Sequence, residues 1–305
     1  MPGYTYGVPP FTTTTFTSPF AGTDDTIVAN VLADFTINGN GGNDSVSTGG
    51  GNDTVTTTTG NDTIDAGDGN NTISAGDGIN AVTTGSGNDT VTTGTGNDVV
   101  QAGDGNNTVN AGDGTNAVTT GSGNDTITTG AGVDTVNSGG GNDIIATGSG
   151  DDRINAGGGD DSVNAGAGND LINSGGGTDA LVGGGGHDTF VYGSLAEALL
   201  GADTIADFST SGPKVLGEGD VLDLRGLILG FTGMPGRHHP HTTLAKLVDS
   251  GYLHFSGDTG STVISYDSNG SAAGGSMGTL VTLVGVAFST EANALLAFAD
   301  NIVVS

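Results

Sequence analysis

The chain has 305 residues and a formal charge of −29, from 34 acidic against 5 basic side chains. With 60 glycines, 10 Phe, 5 Tyr and no Trp, much of its length has too few large side chains for an ordinary globular core. The charge argues against nucleic acid and anionic membrane surfaces as partners. The absence of Cys excludes a disulfide framework and thiol chemistry. No apolar run reaches the roughly 18 residues of a membrane span, so no membrane insertion is expected. The N-terminus lacks a basic region followed by an apolar stretch, so no cleaved export signal is expected either. For this length, two domains is the natural expectation.

Residues 1–21 form a segment unlike the rest. Tyr4, Tyr6, Phe11, Phe16 and Phe20 stand among Pro2, Pro9, Pro10 and Pro19 and a run of threonines. Proline favours extended or polyproline backbone, and Thr and Phe favour strand. Such an arm cannot bury its own aromatics. Three readings stay open: a cap over the first coil of its own chain, an assembly arm that docks into a neighbouring copy, or a disordered tail. Residues 22–40 read as irregular first repeats, with Gly22-Thr-Asp-Asp-Thr-Ile27 matching the later pattern and a one-residue slip before Asp44.

From Asp44 to Phe190 the chain counts in nines. Asp or Asn stands at 44, 53, 62 and every ninth position to 188, and two residues later comes one apolar side chain, from Val46 and Val55 to Leu181 and Phe190. Glycines precede each acidic position, as in Gly85-Ser-Gly-Asn-Asp89. They suit a tight turn with positive φ, and the following tripeptide reads as a short strand with one side chain inward. Two nonapeptides then make a coil of eighteen residues, and coils stack at about 4.8 Å, the strand spacing. Each Asp thereby lies beneath the Asp two repeats on.

This glycine-aspartate nonapeptide resembles the RTX (repeats-in-toxin) family of calcium-binding parallel β-rolls. The resemblance implies an all-β fold: a right-handed parallel β-roll over residues 22–191, followed by a small, mostly β capping domain over 192–305. It implies calcium as the cofactor, bound by many ions. The candidate ligands in the regular position are Asp44, Asp53, Asp62, Asp89, Asp98, Asp125, Asp134, Asp143, Asp152, Asp161, Asp170, Asp179 and Asp188.

Electrostatics supplies the reason for a cation. Two carboxylates about 5 Å apart repel by roughly 1 kcal/mol in water and about 3 kcal/mol at an effective dielectric of 20. One apolar side chain per nine residues contributes about 1.5–3 kcal/mol when buried, while ordering each residue costs on the order of 1–2 kcal/mol. The calcium-free roll should not fold, and an acidic, aromatic-poor chain of this kind is then disordered. A hard dication held by carboxylates and turn carbonyls cancels the repulsion.

Four repeats depart from the pattern. At Asn71, Asn80, Asn107 and Asn116 the acid becomes an amide, and an Asp appears three residues earlier at Asp68, Asp77, Asp104 and Asp113. These read as calcium sites with one carboxylate relocated, drift under duplication being the alternative. Residues 59–94 and 95–130 match at 36 − 7 = 29 positions, so the alternation belongs to a larger repeating unit.

On the outward face, Thr54, Thr72, Thr90, Thr108 and Thr126 recur every eighteen residues, flanked by Thr56, Ser74, Thr92, Asn110 and Thr128. A flat array of hydroxyls and methyls suits an ice-binding or surface-binding face, although threonine also simply favours exposed strand positions. Past Tyr192 the period stops. Short alternating stretches around 203–208, 219–224, 252–255, 262–266 and 279–284 read as strands, and residues 290–299 as a helix. Asp203, Asp207, Asp220 and Asp223 are further candidate calcium ligands or simple turn residues. Asp267-Ser-Asn-Gly270 reads as a turn. The His238–His241 loop is a weak candidate for zinc or copper and more plainly an exposed loop.

The tail resembles the C-terminal target domain of RTX adhesins exported by type I secretion. That resemblance implies export unfolded from a Gram-negative bacterium and folding in external calcium. It implies a location outside the cell or on its surface, with the type I machinery as a partner. No H-E-x-x-H, G-x-S-x-G or phosphate-cradling loop is present, so no enzyme is expected. The leading expectation is a secreted structural protein that assembles head-to-tail with itself, through the N-terminal arm, into extracellular fibres or a surface layer. The alternatives are an ice-binding or adhesive module using the threonine face, and a terminal fragment of a larger RTX adhesin.

Overall fold

The architecture follows from the period of nine. In a computed structural model, residues 4–7, 15–18, 22–193, 200–209, 219–225, 253–257, 261–267, 277–284, 286 and 302–303 are described, and every element among them is a strand. The chain forms a parallel β-solenoid with about 18 residues per turn. It divides into two compact units, residues 1–150 and 151–305.

In the first unit consecutive strands alternate between two sheets. One sheet holds Tyr4–Gly7, Asp25–Leu32, Ser45–Gly50, Thr63–Gly67, Ala81–Thr84, Val99–Gly103, Ala117–Thr120 and Thr135–Asn137 in that order. The other holds Thr15–Thr17, Thr36–Gly41, Thr54–Thr59, Thr72–Gly76, Thr90–Thr93, Thr108–Gly112, Thr126–Thr129 and Ile144–Ser149. Pairing is parallel and in register at the apolar position, as in Val55↔Ile73, Val91↔Ile73, Val91↔Val109 and Val109↔Ile127. These aliphatic side chains stack into a dry row between the sheets, each no more than 2% exposed from Val46 to Ile145.

A second inward row runs two residues further along each strand, and it is small: Thr48, Thr57, Ala66, Ala75, Thr84, Thr93, Ala102, Ala111, Thr120 and Thr129 are all buried. The buried Thr hydroxyls donate across one coil, Thr84 to the Ala102 carbonyl and Thr93 to the Ala111 carbonyl, both at 2.7 Å. Turn glycines are needed where coils touch. At Gly67 φ is +68° and a Cβ would overlap the Gly49 carbonyl; at Gly87 φ is +138° and a Cβ would overlap that of Gly69.

Parallel pairing extends past the regular repeat at both ends. Tyr4–Gly7 pairs parallel with Asp25–Leu32, and Thr15–Thr17 with Thr36–Gly41, so these parts of the arm lie on the first coil of their own chain. Half-buried Phe16 pairs with Ile37. In the second unit the roll continues beyond residue 191. Asp203–Ile205 pairs parallel with Ala180–Gly185, and Val221–Asp223 with Thr189–Val191. Leu181 and Phe190 have next-coil partners in Ile205 and Leu222, all four buried. Met277–Val284 and Ile302–Val303 add one more parallel strand to each sheet.

The meander Leu253–Gly257, Ser261–Asp267 and Met277–Val284 is antiparallel. The five tail strands expected from sequence thus all occur. The expected helix at 290–299, the His238–His241 loop, Phe11 and Phe20 lie outside the described residues.

Replacing Ile127 by Ala should lower stability in saturating calcium by about 2–5 kcal/mol. The outward Thr126→Ala should stay within about 0.5 kcal/mol. Guanidinium unfolding followed by circular dichroism checks the pair; equal losses would contradict the inward assignment.

Candidate metal centre

Each turn ends on the Asp or Asn that precedes the inward apolar residue by two, and this side chain points into the body of the roll. Its Oδ1 accepts the backbone N–H of the residue at the same place one coil earlier. Asp62 takes the N–H of Asp44, Asn71 that of Asp53, Asp89 that of Asn71 and Asn107 that of Asp89, at 2.7, 2.9, 2.7 and 3.0 Å. The opposite edge repeats this through Asp62, Asn80, Asp98, Asn116 and Asp134. These bonds run from 2.7 to 3.0 Å, and Asp44, Asp179 and Asp188 accept at the same 2.9 Å as Asn71.

In the second unit Asp170, Asp179 and Asp188 accept from Asp152, Asp161 and Asp170. The stacked register expected from spacing is therefore present.

The second oxygen defines the site. Oδ2 of Asp44, Asp53, Asp62, Asp89, Asp98, Asp125, Asp170, Asp179 and Asp188 is buried without a hydrogen-bond partner. An ionised oxygen taken out of water with nothing opposite it is strongly penalised. Burial accordingly pushes Asp44, Asp170 and Asp188 up to about 6, and raises Asp62, Asp89, Asp98, Asp125, Asp134 and Asp143 as well.

Among the described residues no three acidic or histidine side chains converge on one point. An ion here would take one carboxylate oxygen per turn and complete its shell with main-chain carbonyls. Oxygen-only donors of flexible geometry fit calcium.

The relocated acids lie elsewhere. Asp68, Asp77 and Asp104 sit on the exposed outside of the turns and accept from the backbone N–H and hydroxyl of Ser86, Thr95 and Ser122 on the next coil. Those bonds hold all three carboxyls below the usual range. Asp113 accepts from the Ala131 N–H.

In the tail, Asp203 and Asp220 extend the two buried rows, taking the N–H of Asp179 and of Asp188 at 3.0 Å. Burial pushes Asp203 up to about 7 and raises Asp220. Asp220 also accepts from the Ser209 N–H, and Asp207 from those of Gly183 and Gly184. For Asp223 burial works upward, but hydrogen bonds and charge from Arg225 outweigh it and hold the carboxyl low. Protein donors thus take both oxygens of Asp207, Asp220 and Asp223.

Two features escaped the sequence reading. Asp25 is buried and its N–H donates to Asp44 Oδ1, so it opens one row ahead of the regular count. Outside the turns, Asn52, Asn70, Asn88, Asn106, Asn124 and Asn142 form a second side-chain-to-backbone ladder that starts at Asp34. The recurring Gly-Asn-Asp of the repeat was its visible signal.

The repeat profile of one family matches residues 36–55, 47–82, 83–118, 111–145, 119–154, 139–172 and 155–190, together half of the chain. The chain belongs to the RTX calcium-binding nonapeptide repeat family. Its repeats are calcium-binding repeats. No curated protein matches it as a relative. Among solved structures it is similar to the AlgE6R3 subunit of the mannuronan C5-epimerase of Azotobacter vinelandii, at 30% identity and a TM-score of 0.28. That match covers 50% of this chain and 71% of the other.

A pH dependence follows for the calcium-free RTX roll. Asp44, Asp170 and Asp188 have folded values near 6 against an ordinary 3.8, so the folded form holds protons more tightly than the unfolded chain. Stability is least above pH 6 and is gained as pH falls through 6 towards 4. In chelator, the β signal in circular dichroism should therefore be larger at pH 5 than at pH 7.5. A signal that is flat or falls on acidification would contradict the buried-carboxylate account.

Proposed function

We propose that this RTX chain is a secreted, non-catalytic structural protein that folds outside the cell when calcium fills its turns. The single observation that carries the reading is the row of buried Asp Oδ2 atoms that lack a partner. In a cytoplasm poor in calcium these anions oppose folding, and in an external medium rich in calcium they drive it. A chain built this way leaves through a type I exporter unfolded and becomes compact only on arrival. Supporting features are the absence of cysteine and a tail that resembles RTX target domains. No helix among the described residues is long and apolar enough to cross a membrane.

Head-to-tail assembly into fibres or a surface layer is part of the proposal. Tyr4–Gly7 and Thr15–Thr17 are the outermost strands of their sheets, and an outermost strand presents unpaired backbone donors and acceptors. Because both already pair with their own first coil, assembly would stack a further strand upon them or exchange them with a neighbour's.

A second reading has its own observation. Thr36, Thr54, Thr72, Thr90, Thr108 and Thr126 are all exposed and pair in register along one sheet. Such a ladder supports an adhesive or ice-binding face.

The decisive comparison is the full chain with a variant beginning at Ala21, each in chelator and in millimolar calcium. Calcium should convert coil-like circular dichroism to β and reduce the hydrodynamic radius of both. Light scattering should report large assemblies for the full chain and their loss in the shortened one. A compact β protein in chelator at neutral pH would overturn the calcium-driven folding. A full chain that stays monomeric in calcium would overturn the assembly. For the second reading, Thr72→Lys with Thr90→Lys should abolish thermal hysteresis or surface adhesion without loss of β signal.

A further inference from the structure

We infer that Asn71, Asn80, Asn107 and Asn116 are built-in substitutes for a metal ion: their side-chain amides close four turns that consequently take no calcium. The inference rests on the calcium reading of the remaining turns.

Each amide does two jobs. Its Oδ1 accepts the backbone N–H of the preceding coil, at 2.9, 3.0, 3.0 and 3.0 Å, as the carboxylates do. Its Nδ2 turns back to two carbonyls of its own turn. Asn71 reaches Gly67 and Gly69 at 3.1 and 3.2 Å, and Asn107 reaches Gly103 and Gly105, both at 3.1 Å. Asn80 reaches Gly76 at 2.9 Å and Gly78 at 3.5 Å; Asn116 reaches Gly112 at 3.0 Å and Gly114 at 3.4 Å.

The orientation is forced. Only oxygen can take the N–H, and only nitrogen can donate to the carbonyls. At these stations a neutral donor occupies the gap between a side chain and two carbonyls that a cation would otherwise bridge. With an Asp in its place, three oxygens would face one another with no hydrogen between them.

The four turns share two companions that the intervening Asp turns lack. Five residues before each Asn stands a buried Ala, namely Ala66, Ala75, Ala102 and Ala111. Before Asp89, Asp98, Asp125 and Asp134 that place is a buried Thr: Thr84, Thr93, Thr120 and Thr129. The glycine four before each Asn holds φ between +68° and +72°, at Gly67, Gly76, Gly103 and Gly112. A buried Ala also stands five before Asp161 and Asp170, at Ala156 and Ala165, but there the corresponding Gly157 and Gly166 hold φ at +102° and +105°, so the backbone is what sets the Asn turns apart. On each edge these turns alternate with Asp turns, so along residues 67–116 neutral inward caps separate the charged inward caps, while Asp68, Asp77, Asp104 and Asp113 carry their charge on the outside of the Asn turns.

Asn107→Asp tests the assignment, with Asn106→Asp as the control that adds the same charge on the exposed outer ladder. Bound calcium is counted by native mass spectrometry, and folding along a calcium titration is followed by circular dichroism. Asn107→Asp should gain one ion per chain and shift the folding midpoint to higher calcium. Asn106→Asp should leave the count unchanged. Asn71→Asp should repeat the gain at a second station.

If the parent chain binds ions and neither inward variant binds one more, the amide assignment is wrong. If the parent chain binds no calcium at all, the calcium reading itself falls.

Discussion

Everything in the roll hangs on one hydrogen bond: the carboxylate or amide oxygen that caps the backbone N–H of the turn one coil earlier. It joins residues eighteen apart, fixes the register of both sheets at their edges, and requires the side chain to point inward. One acceptor per turn must therefore be buried, and an acceptor that is an acid brings a charge with it. The donors to Asp62, Asp89 and Asp125 are backbone N–H groups rather than Lys or Arg, so their charge is met in another way. Asp turns leave a second oxygen open, Asn turns supply a neutral donor, and Asp207 and Asp220 in the tail are closed by backbone N–H groups. Three answers to one electrostatic problem lie along a single solenoid.

The thin core explains why the problem is not solved by packing. Between the sheets run one aliphatic row and one row of Thr, Ser and Ala, with no buried aromatic from Val46 until Phe190. Burial of that size holds a coil to its neighbours but does not offset uncompensated anions as well. Cohesion is passed coil to coil, so stability adds up along the axis and the turns decide how each increment is set. Glycine at the close approaches lets coils meet carbonyl to backbone, a spacing no side chain would permit.

Larger side chains enter at the ends. Phe190, Tyr192 and Phe208 are buried where the count of nine breaks, with the Phe190 and Phe208 rings 6.0 Å apart.

Sequence by itself determined the coil length, the inward apolar row, the Asp register and the outward threonines, because each repeats at a period that only one geometry satisfies. A one-residue slip would turn the inward row outward, so the count of nine is also a statement of packing. Where the period lapses, only the tertiary structure decided. Asp203 and Asp220 join the buried rows at separations of 24 and 32 residues, distances set by excursions whose length no periodic reading contains. The paired parts of the arm lie on their own first coil because Asp25–Leu32 and Thr36–Gly41 present open edges there, a fact of sheet pairing rather than of composition. Spacing alone also does not tell what an Asn does at the Asp position; the direction of its amide nitrogen towards two glycine carbonyls is a fact of the fold.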